Sequence, residues 1–177
     1  FESSNIKYAH HFLKLESKSK SDLIEIHNRP AVFNYLAARV DKRKKLILWF
    51  HNDPLSLRGS ISKEQRLYIL EKASAIIFVS EWTKNRFFND LNISPNHDKI
   101  NVVYPSVNRK KYHSKKEKII LFVGKLNRSK GYDLFCSAVI KILDKYPQWR
   151  ACVIGDEPRE KFDYSHERLL NLGFLDH

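Results

Sequence analysis

The sequence contains no methionine, two cysteines and no apolar run long enough to cross a bilayer as a helix. Each absence removes a class of protein. Cys136 and Cys152 stand alone, with no C-x-x-C pair and no histidine at metal-ligand spacing. Neither a disulfide framework nor a zinc module is therefore expected, and the pair reads as free core thiols in a reducing compartment. No signal-peptide pattern opens the chain, and a cytoplasmic location fits. No solenoid-type repeat is present. There is no G-x-x-x-x-G-K-[ST] loop and no G-x-G-x-x-G fingerprint, which disfavours a simple NTPase or dehydrogenase. A chain that opens on Phe1, lacks methionine and stops at His177, where the pattern begins another strand, reads as a piece of a longer protein.

What remains is an ordinary folded composition, 42% apolar and 29% charged, in a length that suits one domain or two small or incomplete ones. The balance of charge is not ordinary. A net charge of +12 is concentrated at Lys42–Lys45, Arg109–Lys111 and Lys115–Lys118. Such a surface attracts polyanions: nucleic acid, anionic lipid headgroups or phosphorylated sugars. A merely solvated surface would also account for the runs.

The most informative stretch is K-I-I-L-F-V-G-K-L-N-R-S-K-G-Y-D, from Lys118 to Asp133. Ile119–Val123 is too short for a helix, and nothing polar alternates with it, so it reads as a strand buried on both faces of a parallel sheet. Gly124 ends the strand. A loop carrying Lys125, Arg128 and Lys130 follows, and Gly131 closes it. Leu134, Phe135, Ala138, Val139, Ile142 and Leu143 then fall on one helical stripe. Strand, glycine, cationic loop, glycine, helix is the layout of an anion site. Ligands in open α/β sheets sit beyond the carboxyl ends of strands, where helix N-termini add unpaired N–H groups. The cations point to a ligand with at least two negative charges, such as a diphosphate, although a solvated loop would show the same residues.

The rest of the chain repeats β-α. A helix over the first part of residues 1–21 precedes a strand at Leu23–Ile26, which ends in the turn His27-Asn28-Arg29-Pro30. A helix over Ala31–Arg39 and a strand over Lys44–Phe50 follow, the strand ending in His51-Asn52-Asp53-Pro54. Ser62, with Gln65 three residues on, marks a helix start that runs to Lys72. Ala75–Val79 is a strand, Ser80 caps a helix over Glu81–Leu91, and Ile100–Tyr104 is a short strand. Arg109–Lys118 is almost wholly polar and marks a domain boundary. Beyond the central stretch come a strand at Trp149–Ile154, the turn Gly155-Asp156-Glu157-Pro158, a short helix near His166–Asn171 and the apolar Leu172–Leu175. The expectation is α/β with parallel sheets and right-handed crossovers. The first domain would cover residues 1–113 and the second 114–177, both incomplete.

Several ordered motifs carry a family resemblance. F-V-G-K-L-N-R-S-K-G-Y-D-L-F, C-V-I-G-D-E-P and N-L-G-F resemble the donor-binding domain of family 4 (group 1) glycosyltransferases of GT-B fold. I-F-V-S-E-W-T-K-N-R-F and V-V-Y-P-S-V-N resemble the partner domain and its crossing segment. H-N-R-P and L-W-F-H-N-D-P look like a bacterial subgroup acting on lipopolysaccharide or other surface glycans. The resemblance runs from about Asp22 to the end. It implies two Rossmann-like domains and a hexosyl-type transferase. Such an enzyme moves a sugar from a nucleotide-diphosphate donor to a glycan or glycolipid hydroxyl, with retention and with neither metal nor cofactor. In that mechanism protein cations must neutralise the departing diphosphate. Lys125 and Lys130 match the family's cationic pair, and Gly124 lets the backbone approach the phosphates. Lys125 stands where arginine is commoner, so a point charge replaces a fork, and Arg128 is the candidate substitute.

His51 matches a histidine that supports the donor sugar or reaction centre at the interdomain cleft. Asn52 and Asp53 are candidates for sugar hydroxyls, as are His27 and Arg29 by their similar position, while Gly155, Asp156 and Glu157 would meet the nucleotide. Turn chemistry alone would also explain the residues in all three turns. Ser80 is better explained as a helix cap and Glu81 as a first-turn carboxylate. The family's E-x7-E pair would lie beyond His177, and the glycine-rich loop that opens its first domain is absent. Two readings without catalysis compete: a nucleic-acid module and a module docking on anionic membrane. Nucleic acid is disfavoured, because the basic runs carry no interleaved aromatics and no helix-turn-helix, zinc or RNP pattern appears. Peripheral contact with the inner face of the plasma membrane is compatible with the transferase.

Overall fold

The computed structural model describes residues 4–18, 21–95, 98–109 and 115–176. The chain divides into two compact units, Phe1–Arg109 and Lys110–His177, each with its own parallel sheet. The boundary expected at 113/114 lies outside the described residues.

In the first unit the order is α1 (Ser4–Glu16), β1 (Leu23–His27), α2 (Pro30–Ala37), β2 (Lys45–Phe50), α3 (Lys63–Lys72), β3 (Ala75–Phe78), α4 (Glu81–Phe88) and β4 (Ile100–Val102). The strands lie side by side in chain order, all parallel. Local chemistry sets the helix starts. Pro30 opens α2, where a missing N–H costs nothing. Ser62 and Gln65 close a capping box on α3, and Ser80 and Thr83 close a second on α4. Each cap of this kind contributes about 1 kcal/mol. The core takes alternate strand residues (Ile24, Ile26, Leu46, Leu48, Phe50, Ile76 and Phe78) against Phe33, Leu36, Ile69 and Phe87 from the helices. Phe50, Phe78 and Phe87 pack with ring centroids 5.3–5.4 Å apart. Arg66 is also buried, and its guanidinium donates to the carbonyls of Ser60, Ile61 and Asn89. It ties the loop before α3 to the end of α4, a long-range role that no local pattern announces.

The second unit runs β5 (Ile119–Val123), α5 (Tyr132–Lys145), β6 (Arg150–Ile154) and β7 (Leu169–Asn171), again parallel and in chain order. Two expectations are corrected here. The segment near His166–Asn171 is not helical: Leu169–Asn171 pairs with Ala151–Val153 as β7, and the strand comes before Leu172 rather than after it. Pairing to a neighbour's open edge outweighs the weak local helical signal. The strand Ile119–Val123 is also not buried on both faces. Ile120 and Phe122 pack with Ala151, Val153 and Leu169 beneath α5, but Leu121 is 55% and Val123 65% exposed. The reason is winding. Right-handed crossovers between strands added in one direction place every connecting helix on the same face. The other face of each sheet is left bare by the described elements. Of the two cysteines, both free, Cys136 is in the core and Cys152 is half-buried on the bare side of β6. No described helix is long and apolar enough to cross a membrane.

Candidate functional site

Every candidate residue lies at the carboxyl end of a strand, where open parallel sheets place ligand sites. In the second unit, Gly124 and Gly155 follow β5 and β6 directly. The Gly124 N–H donates to Ile154 O and the Gly155 N–H to Gly173 O, so the ladder continues past the strand ends. The two glycines are in van der Waals contact. A Cβ on Gly155, at φ +143°, would collide with the Gly124 carbonyl. Glycine at 155 is therefore a steric requirement of the strand ends, whatever else it contacts.

The cationic loop is folded by Asn127, which is almost wholly buried. Its side-chain oxygen accepts from the Lys130 N–H (3.1 Å) and the Ser129 hydroxyl (2.9 Å), closing a 3₁₀ turn over Arg128–Lys130. Gly131 then takes a left-handed conformation (φ 72°), and α5 starts on it without any side-chain cap. This contrasts with α3 and α4, whose first turns are satisfied by capping boxes. Lys125, Arg128 and Lys130 are all exposed, and none has an ion-pair partner among the described residues. Three exposed cations thus lie in the loop between β5 and a helix N-terminus that no side chain caps, the residue types that hold a multiply charged anion.

The loop after β6 answers with carboxylates. Glu157 is buried and held in a fork by Arg159 (2.7 and 3.0 Å). That pairing, with a smaller contribution from Lys125, brings its carboxyl down to about 2. Glu160 accepts from the Arg128 N–H. The Glu157 side chain is thus committed to holding its own loop, while Asp156 is exposed. Leu126, Tyr132, Glu157, Phe162 and Asn171 line a cavity of 320 Å³ beside this loop.

In the first unit, the turns after β1 and β2 meet. His27 Nδ1 and His51 Nε2 are 3.0 Å apart, and both rings are exposed. Asn28 Oδ1 accepts from the N–H groups of His51 and Asn52. Arg29 instead lines a 510 Å³ cavity with Tyr8, Phe12, Glu25 and His27. Asp53 is turned away: its carboxylate accepts from the Leu55 N–H and, in a fork, from Arg86 of α4 (3.2 and 2.9 Å). Arg86 is the chief cause of the lowered Asp53 carboxyl. Ser80 is the cap of α4, as expected. No group of three or more His, Cys, Asp or Glu side chains among the described residues is placed to hold a metal ion.

Asn28, Glu25, Trp49, Arg86 and Asn127 have organising roles that the sequence reading does not assign. One signal was available for Asn28. The tetrad H-N-x-P occurs twice, at the ends of successive strands, and asparagine tolerates the left-handed conformation that Asn28 adopts (φ 54°).

Two parallel-sheet units with strand-end loops of this kind define the GT-B fold class, and solved structures share it. One is an S. aureus TarM mutant in complex with Fondaparinux, alpha-GlcNAc-glycerol and UDP. It superposes with a TM-score of 0.70 at 16% identity, over 99% of this chain and 37% of its own. Anabaena HepE in complex with UDP-glucose gives 0.63 at 17% identity, over 88% of this chain and 49% of its own. YtcC of Bacillus subtilis is 27% identical over 182 residues, covering 90% of this chain and 44% of YtcC. The chain thus spans less than half the length of these relatives. Residues 2–111 match the model of Glycosyltransferase Family 4, and residues 106–175 match Glycosyl transferases group 1. The chain belongs to glycosyltransferase family 4.

Proposed function

We propose that the intact protein transfers a sugar from a nucleoside-diphosphate sugar to a hydroxyl of a glycan or glycolipid. The observation that carries this reading is the loop from Lys125 to Lys130. Its three cations, without an ion-pair partner among the described residues, lie in the loop that leads into α5, whose start has no side-chain cap. A departing diphosphate develops charge that must be neutralised at once, and fixed cations with helix N–H groups do this without reorganisation. The UDP and UDP-glucose in the neighbouring structures are donor chemistry of this class.

On this reading Lys125, Arg128 and Lys130 hold the diphosphate, and Gly124, Gly155, Asp156 and Glu157 shape the nucleotide side. His51 meets the sugar at the reaction centre. His27, Arg29, Asn52 and Asp53 belong to the acceptor side, with the Asp53 carboxylate acting through Arg86 and the turn it holds. Metal independence is part of this reading because the loop supplies cations of its own, and chelator-insensitive activity is the expected result. The retaining outcome and the surface-glycan acceptor, lipopolysaccharide included, rest on the family resemblance of the motifs. The anomeric configuration of the product tests the former.

The decisive measurement is UDP affinity in the intact protein. Lys130→Ala should weaken it by about tenfold or more, the scale of one lost charge-assisted contact. Unchanged affinity would remove the diphosphate loop from the mechanism. The net charge of +12 supports a cytoplasmic enzyme that meets lipid-linked acceptors at an anionic membrane face. Sedimentation with anionic but not neutral vesicles is the expected outcome, and equal sedimentation with both would count against it.

A further inference from the structure

We infer that the turn after β1 is a positioning device for His51. Asn28 fixes the His51 backbone, and His27, biased by Glu25, fixes which His51 ring nitrogen carries the proton. This rests on the reading of His51 as a residue that meets the sugar. It gives His27 a role behind that contact rather than in it.

The backbone part is direct. From its left-handed conformation, Asn28 directs Oδ1 at two successive N–H groups, those of His51 and Asn52, each at 3.2 Å. Its own N–H donates to Trp49 O at 2.8 Å. Three bonds from one residue hold the exit of β2 against the exit of β1.

The ring part follows from strand register. Glu25 and His27 share one face of β1, and parallel pairing sets His27 opposite Trp49, two residues before His51. The three rings are nearly parallel: His27 lies 5.4 Å from Trp49 and 5.3 Å from His51, with planes within 12° and 17°. Glu25 pins the far end by accepting from Trp49 Nε1–H at 2.7 Å. The side chains that share this face are Leu23 of β1, Lys45 and Ile47 of β2, Ala75 and Ile77 of β3, and Asn101 of β4. Glu25 and Lys45 are the charged ones among them.

Between His27 Nδ1 and His51 Nε2, at 3.0 Å, one nitrogen must donate and the other accept. The Glu25 carboxylate is 3.8 Å from His27 Nε2, on the ring's other side. Negative charge there favours the proton on His27 Nε2. His27 Nδ1 is then an acceptor, and His51 must donate its Nε2–H. The consequence is at His51 Nδ1, which keeps its lone pair and presents an acceptor to a ligand hydroxyl. With the opposite assignment His51 would present an N–H, and a sugar hydroxyl would have to turn its oxygen instead. Glu25 and His27 thus decide whether His51 offers a lone pair or an N–H to the ligand.

Ring nitrogen spectra of the intact protein, labelled with ¹⁵N-histidine, test this at alkaline pH. His27→Phe and His51→Ala assign the two rings among the protein's histidine signals. The expected result is His51 protonated at Nε2 and bare at Nδ1. A His51 protonated mainly at Nδ1 overturns the proposal. Glu25→Ala should move both rings toward mixed tautomers, and no movement would overturn the role given to Glu25. The backbone arm uses kinetics. Asn28→Gly keeps the left-handed conformation and removes the acceptor, so turnover should fall about tenfold with donor KM little changed. Asn28→Asp keeps the acceptor oxygen and should restore turnover to within about twofold of wild type, which a merely structural loss would not. Equal rates for the two variants, or full activity in Asn28→Gly, overturn the clamp. If Asn28→Gly fails to fold, the spectra of wild type and Glu25→Ala still decide the ring assignment. Full activity in His51→Ala would instead sink the parent reading while leaving the tautomer result intact.

Discussion

The two units are wound alike and end differently. Each adds parallel strands in one direction, so each covers one sheet face with helices and leaves the other bare. The first unit's bare face carries Glu25, His27 and Trp49, with their polar groups paired to one another and leading to His51. The second unit's bare face carries Leu121, Val123 and Leu170, which have no polar atoms to pair and are 55%, 65% and 45% exposed. Winding decides which face is open. Side-chain chemistry decides how much such a face gains on being covered, about 25 cal/mol for each apolar Å²: the first mixes its paired polar groups with Leu23, Ile47, Ala75 and Ile77, whereas Leu121, Val123 and Leu170 of the second are apolar throughout. The loops differ in the same spirit. After its second strand each unit forks a carboxylate on an arginine. Asp53 reaches Arg86, 33 residues away, and so ties a strand-end turn to a helix. Glu157 reaches Arg159, two residues away, and stabilises only its own turn.

The sharpest way to break this comparison is at the strand ends. Gly155→Ala forces a Cβ into the Gly124 carbonyl and should cost about 3 kcal/mol or more, whereas Gly131→Ala, in open space at φ 72°, should cost about 1 kcal/mol from conformation alone. Denaturant unfolding followed by hydrogen exchange in β5 and β6 separates them, and equal costs would mean the strand ends do not meet. In the first unit, Phe50→Ala on the covered face should lose about 3–5 kcal/mol and Trp49→Ala on the open face about 1 kcal/mol. In the second unit, Val153→Ala should cost about 2 kcal/mol and Leu121→Ser less than about 0.5 kcal/mol. A large loss for Leu121→Ser in the intact protein would show that this face is covered there.

The smallest effects are electrostatic. Glu157 falls from 4.5 to about 2 in the folded chain, below its unfolded value. Its stabilisation is therefore complete at neutral pH and disappears as pH drops from about 4.5 toward about 2. Glu157→Gln should flatten the acid limb of unfolding in the second unit. Asp53→Asn should do the same in the first, because Arg86 lowers the Asp53 carboxyl in the same direction. A steeper acid limb in either variant would reverse the assignment.

Much of this was legible locally. Ser62 with Gln65, Ser80 before Glu81, Pro30 before an apolar stripe and Gly131 after a cationic loop mark helix starts through chemistry acting over three or four residues. The error at Leu169–Asn171 shows the limit. Three residues are too few for periodicity to decide, and pairing with β6 decided instead. The candidate residues were found as three separate turns. That His27 bonds His51, that Asn28 grips two N–H groups of the next turn, and that Asp53 pairs with Arg86 all depend on partners 23 to 33 residues distant.

By itself the sequence determined the β-α alternation, the helix caps and the residue types at each strand end, because these rest on periodicity and short-range hydrogen bonding. Only the tertiary structure decided which sheet faces are bare and which strand-end residues meet. Strand order and register are set by packing between distant segments, and a shift of one residue in register would carry His27, Trp49 and Leu121 to the opposite faces.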